Sequence, residues 1–179
     1  MNNKITKSTR SRKTIEELRA ASDVLEYEIR MLNDVADAIH NFPKGIIHSA
    51  LHDALIESFV VHTRILIELF YPPETIRYPT EKNFKIANDT IIAADFFLNE
   101  SQWKMGIPVW LKEIREKANK LLAHLTYSRM FKYENDKGWD YLKIKGHLNE
   151  IFAKFRKEVP QDRIGEKLRK YKVLSKSIG

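Results

Sequence analysis

Residues 14–45 read TIEELRAASDVLEYEIRMLNDVADAIHNFPKG, and this stretch decides the fold. Leu18, Val24 or Leu25, Ile29, Leu32, Val35 and Ile39 recur at three- and four-residue steps, the spacing of one helix face. The Thr14 hydroxyl can cap the first turn, and Glu16 and Glu17 complement the positive end of the helix dipole. Residues 41–45, with Pro43 and Gly45, end the helix in a tight turn.

Working outward, a second helix is predicted from about Ile46 to Tyr71, stopped by Pro72 and Pro73. Its inward stripe reads as Leu51, Leu55, Ser58, His62, Ile65 and Leu69. The short turn before it makes the two helices antiparallel neighbours. Residues 72–108 form a long connector. Prolines break its first half, and residues 89–98 are apolar enough to pack as a short helix or turn. A third helix follows Pro108 and runs to about Lys132, with Leu111, Ile114, Ala118, Leu121, Leu122 and Leu125 on its core face. A fourth begins after Gly138 and carries Trp139, Leu142, Ile144, Leu148, Ile151, Phe152 and Phe155, ending at Pro160. Period-two alternation, hairpin dipeptides and repeats are all missing. The expected fold is all-α, an antiparallel bundle of four to five helices with basic tails.

The 179 residues carry 31 basic and 24 acidic side chains, a formal charge of +7. Residues 1–13 contribute +5 and residues 160–179 contribute +4, so residues 14–159 stand at −2. The division expected is a basic N-terminal tail (1–13), a bundle domain (14–159) and a basic C-terminal tail (160–179). A nucleic-acid partner is then better served by the tails than by the face of the bundle.

Cysteine is missing altogether, which removes disulfides, thiolate metal sites and cysteine nucleophiles. Gly-rich phosphate loops, GxSxG and HExxH do not occur, so no cofactor is expected. His48 and His52 have the spacing of two metal ligands on one helix face but lack further ligands, and no metal is assigned. Residues 59–71 are interrupted by His62, Arg64 and Glu68, too polar and too short to span a bilayer. The N-terminus has no apolar leader, and the expected location is the cytoplasm.

Three polar features remain. His62 falls on the apolar stripe of helix two, as a core histidine or a site residue, and Arg64 can pair with Glu68 one turn on. The richest cluster is Arg115, Lys117, Asn119, Lys120, His124, Tyr127 and Arg129 on helix three. A histidine among cations can move a proton on an anionic substrate, and the cations can stabilise charge on a phosphate. Arg129 lies in line with Leu111 and Leu122 and needs a carboxylate from Glu57, Glu68 or Asp95.

This helix and the long one before it resemble the HEPN superfamily of small all-helical domains. The hallmark there is an Arg followed, after four to six residues, by His. With His124 as the histidine, Asn119 stands at the four-residue spacing and Lys117 at the six-residue spacing, while Arg115 is eight residues away. The resemblance implies a homodimer and metal-independent cleavage of RNA, in a toxin–antitoxin or phage-defence system with an antitoxin or other protein partner. It casts His124 in proton transfer, Arg115 or Lys117 on phosphate and Asn119 as orienting group. Lys120, Arg129, Tyr127, Arg64 and His62 are the further binding candidates. The alternative is a non-catalytic interaction module whose basic tails contact nucleic acid. The apolar load of Phe96, Phe97, Trp103 and Trp110 also points to a helix-face dimer.

Overall fold

The computed structural model describes residues 12–43, 50–72, 90–122 and 138–172. These residues hold α1 (Ile15–His40), α2 (Ala50–Phe70), α3 (Val109–Leu122), α4 (Tyr141–Glu158) and α5 (Glu166–Lys170), with short 3-10 turns and no strand. The fold is an all-α bundle, as its periodicity predicts.

At the start of α1, Thr14 Oγ1 accepts from the Glu17 backbone N–H at 3.1 Å, while the Thr14 N–H donates to the Glu17 carboxylate at 2.7 Å. This reciprocal pair satisfies two backbone positions at the helix start. The same bonds hold the Glu17 carboxyl below its ordinary range. At the other end, the Asn41 N–H and side-chain amide both donate to Asp37 O. Leu18, Leu25, Ile29, Leu32, Ala36 and Ile39 are buried, and Leu25 takes the inner position while Val24 faces out.

α2 departs in part from its expected face. His62 and Leu69 of that stripe are buried, but so are Phe59, Val60, Thr63, Leu66, Ile67 and Phe70, whereas Leu51 and Ile65 are exposed. The reason is that α2 packs on α1 along one side and on α3 and α4 along others. A helix with several neighbours buries more than one stripe, so a single period underdetermines it. α1 runs antiparallel to α2, with Glu28 against His62, and antiparallel to α4, with Asn33 against Asn149 and Asp37 against Lys145.

The described part of the connector is packed. Ala93–Phe96 and Glu100–Gln102 are 3-10 turns, and Phe96, Phe97 and Trp103 are buried against Phe155 of α4 at ring separations of 5.4, 6.0 and 5.6 Å. The Trp103 indole donates to Phe70 O at 3.1 Å, occupying one of the last free carbonyls of α2. This corrects the expected reason for a dimer. The aromatic load of the connector is absorbed within the chain.

The C-terminal segment differs from the predicted tail as far as Tyr171. Arg163, Ile164 and Leu168 are buried against α1, and Arg163 donates to Phe97 O at 3.0 Å. Lysines and arginines dominate its composition, but Ile164 and Leu168 supply a one-turn apolar anchor. Among the described residues, no helix is long and apolar enough to cross a membrane.

Candidate functional site

α3 turns Leu111 and Ala118 into the core. At 100° per residue Arg115 lies on the same stripe, and Asn119 follows it by one turn on an adjoining line. Arg115 Nη1 and Asn119 Oδ1 are both buried, and neither has a hydrogen-bond partner among the described residues. Buried polar atoms nearly always find partners, so two such atoms one turn apart make this part of α3 the candidate site. Among the described residues, Arg115 Nη1 lacks an acceptor and Asn119 Oδ1 lacks a donor. A group bearing both an anionic oxygen and a hydroxyl answers both needs.

Lys117 belongs elsewhere. Its side chain is 6% exposed, its ammonium donates to Gly138 O at 2.9 Å and it lies 4.8 Å from the centre of the Trp139 ring. It ties α3 to the entry of α4. Lys120 is half-buried. His124, Tyr127 and Arg129 lie outside the described residues.

His62 and Arg64 each have partners of their own. His62 Nδ1 lies 2.7 Å from a Glu28 carboxylate oxygen, both side chains being largely buried, and the Tyr27 ring meets the imidazole edge-on at 5.8 Å. His62 is therefore a bridge from α2 to α1. Arg64 Nε pairs with Glu68 at 3.0 Å on the surface of α2. Asp95, one of the carboxylates considered for Arg129, accepts from the Ile92 N–H at 3.0 Å and caps its own turn. His52 sits 5.0 Å from the Phe42 ring and 3.8 Å from Asp53, while His48 is outside the described residues. Among the described residues no three His, Asp or Glu side chains converge as a metal cluster.

Compared with models of protein families, with curated proteins and with solved structures, the chain matches none.

One titratable cluster escapes the sequence reading. Tyr71, just past α2, places its hydroxyl 2.9 Å from His147 Nε2 on α4, and Trp110 of α3 meets the same imidazole edge-on at 5.2 Å. Lys143 lies 4.6 Å from the Trp110 ring centre. Burial pushes Tyr71 up to about 12. Burial also lowers His147, with Glu150 acting in the opposite sense. The neutral imidazole accepts from the phenol and joins α2, α3 and α4. A Gly-His-Leu sequence in a helix carries no sign of this, because its neighbours come from distant parts of the chain.

A second polar layer links α1 to α4. Asn33 and Asn149 exchange amide hydrogen bonds at 3.0 and 2.7 Å, and Asn33 also donates to Ile29 O. With these bonds made, the layer sets the register of the two helices.

Proposed function

We propose that the chain is an RNA-binding helical module that cleaves RNA without a metal ion. The observation that carries the reading is the pair of buried, unpartnered atoms Arg115 Nη1 and Asn119 Oδ1. RNA supplies what each lacks: a phosphate oxygen to accept from the guanidinium, and a 2′-hydroxyl to donate to the amide oxygen. Five positions after Asn119 the sequence places His124, a residue type able to take a proton near neutral pH.

In this mechanism His124 removes the proton of the 2′-hydroxyl, whose oxygen attacks the adjacent phosphorus. The bond to the 5′-oxygen breaks, leaving a 2′,3′-cyclic phosphate, and the proton taken up by His124 returns through water to the leaving 5′-oxygen, which becomes a hydroxyl. Arg115 stabilises the charge on the phosphoryl oxygens and Asn119 orients the attacking hydroxyl. Lys117 is held by Gly138 O and takes no part. The reading keeps the resemblance to HEPN domains. It includes a toxin–antitoxin or phage-defence setting, a cytoplasmic location, an antitoxin or similar protein partner and two copies of the chain acting together.

The test is cleavage of mixed RNA by the purified chain in EDTA, beside His124→Ala. Wild-type cleavage that falls at least 100-fold in the variant supports the reading, in keeping with the usual weight of a general base. No cleavage, or equal cleavage by both, overturns it. The rival interaction module draws support from apolar side chains on the outer faces of α1 and α2. It predicts salt-sensitive nucleic-acid binding that disappears when residues 1–13 and 160–179 are removed.

A further inference from the structure

The α1–α2 pair has the opposite charge to the chain around it. α1 carries seven carboxylates against two arginines and α2 three against one. With histidines neutral, the pair stands at −7 in a chain of +7. The ion pairs of Arg30 and Arg64 lie within these two helices and are already inside that count. Lys145 and Lys167 reach in from elsewhere to meet Asp37 and Asp23, and setting them against the pair still leaves −5. Local pairing therefore does not discharge the excess.

The outer face of the same two helices is apolar where solvent would favour polar groups. Val24 and Tyr27 of α1 are 53% and 44% exposed, and Val61 and Ile65 of α2 are 42% and 39% exposed. Val24 and Ile65 line one cleft of about 220 Å³ with Glu28 and Glu68, and among the described residues no lysine or arginine lines it. The Tyr27 ring meets His62, the neighbour of Val61, so the four residues form one surface. Glu57 is exposed one turn before Val61 and has no ion-pair partner among the described residues. Scattered apolar residues are ordinary, but a contiguous group spanning two helices marks an interaction surface.

We infer that this face receives a cationic amphipathic helix from a protein partner. The apolar side chains of that helix fill the groove between α1 and α2, as a third helix packs on an antiparallel pair. Its flanking lysines or arginines meet a surface where carboxylates outnumber cations. Charge chooses this occupant over the others. RNA and anionic lipid carry the sign that the two helices repel, and a second copy of the same face would set one acidic pair against another.

This inference deepens the partner element of the proposed function and holds whether or not the chain cleaves RNA. The test is fluorescence anisotropy of a labelled leucine–lysine amphipathic peptide of about 18 residues, or five helical turns, titrated with the full chain. The peptide binds the wild type, more weakly as salt rises, and the matching leucine–glutamate peptide does not. The double variant Val61→Ser, Ile65→Ser weakens binding by about 10-fold or more through lost apolar burial. Glu57→Lys weakens it by about 3-fold or more through repulsion. Val109→Ser, at an exposed valine of α3, leaves it unchanged. Circular dichroism stays at the wild-type level throughout, and the surface change Glu57→Lys keeps the test valid even should the double variant unfold. No binding of the leucine–lysine peptide, or equal binding of both peptides, overturns the inference. So does binding that the α2 variants leave untouched. A wild-type dimer that the double variant breaks in sedimentation gives the face to a second copy and overturns it as well. RNA cleavage is read in a separate assay, so its absence overturns the proposed function alone.

Discussion

The Tyr71 hydroxyl lies 2.9 Å from His147 Nε2, with the two rings stacked 14° from parallel, so one hydrogen bond joins the end of α2 to the middle of α4. Its two titrating groups give the fold a pH dependence on both sides of neutrality. Burial lowers the folded-state value of His147 below the ordinary 6.5. As pH falls below about 6.5, the unfolded chain binds a proton that the folded chain resists, so stability declines toward acid until the folded-state value is passed. Tyr71, raised to about 12, acts in the opposite direction. Above about pH 10 the unfolded phenol ionises while the folded one does not, and stability declines toward alkali. Urea unfolding across pH 5–12 should show both limbs. His147→Phe should flatten the acid limb, and Tyr71→Phe should reduce the alkaline one, which Tyr141 and Tyr171 share. An acid limb unchanged in His147→Phe would show that another group controls it.

Arg115 should display the opposition between stability and binding that an unfilled site produces. Its Nη1 is buried without a partner among the described residues, and such a group costs about 1–3 kcal/mol. Arg115→Met keeps most of the volume and removes the unpaired polar atom. The variant should match or exceed the wild type in urea stability by up to about 1 kcal/mol, and should lose RNA binding in a filter or anisotropy assay. Lower stability with unchanged RNA binding would make Arg115 a structural residue.

The legible and illegible parts of this chain divide by sequence distance. The Thr14 cap is decided by Glu17, three residues away, and the end of α1 by Asn41 and Pro43, so both could be read directly. The polar spacing of Arg115 and Asn119 was visible for the same reason. The buried face of α2 was not, because Phe59, Val60, Leu66 and Ile67 are selected by neighbours on several sides, and periodicity records apolar positions without naming their neighbours. Lys117 reads from its spacing as a phosphate ligand, and that spacing holds no sign of its tie to Gly138 and Trp139, about twenty residues on. His147 became noticeable only through Tyr71, 76 residues earlier.

His62 offers a test that separates a buried bridge from a catalytic group. It is hydrogen-bonded to Glu28 at 2.7 Å inside the α1–α2 contact. Removing one member leaves the other buried without its partner, at a cost of about 2–4 kcal/mol. His62→Ala and Glu28→Ala should each lower urea stability by about that amount, and the double variant should lose less than the two separate losses added together. RNA cleavage per folded molecule should remain at the wild-type level in His62→Ala. Selective loss of cleavage in a stably folded His62→Ala protein would instead bring His62 into the site.

The C-terminal segment is held to α1 by a contact that leaves no room for a side chain. The Gly165 N–H donates to Ser22 Oγ at 2.6 Å, Ser22 donates on to Arg19 O, and Arg19 Nε donates to Asp162 O at 2.9 Å. A Cβ on Gly165 would meet Asp23 Oδ1 at 2.8 Å, Ser22 Oγ at 3.0 Å and Arg19 O at 3.1 Å. Asp23 can rotate away, but the other two belong to the hydrogen-bonded chain, so Gly165→Ala must push the segment a few tenths of an ångström off α1. Overpacking of this kind costs about 1–3 kcal/mol. Deleting residues 160–179 should cost more, because Arg163, Ile164 and Leu168 leave the core, while deleting residues 173–179 should leave thermal stability unchanged. Equal melting temperatures for both truncations would restore the whole basic segment to the status of a tail. The predicted difference instead places residues 160–172 within the fold, with Lys167, Arg169, Lys170 and Lys172 exposed on its surface.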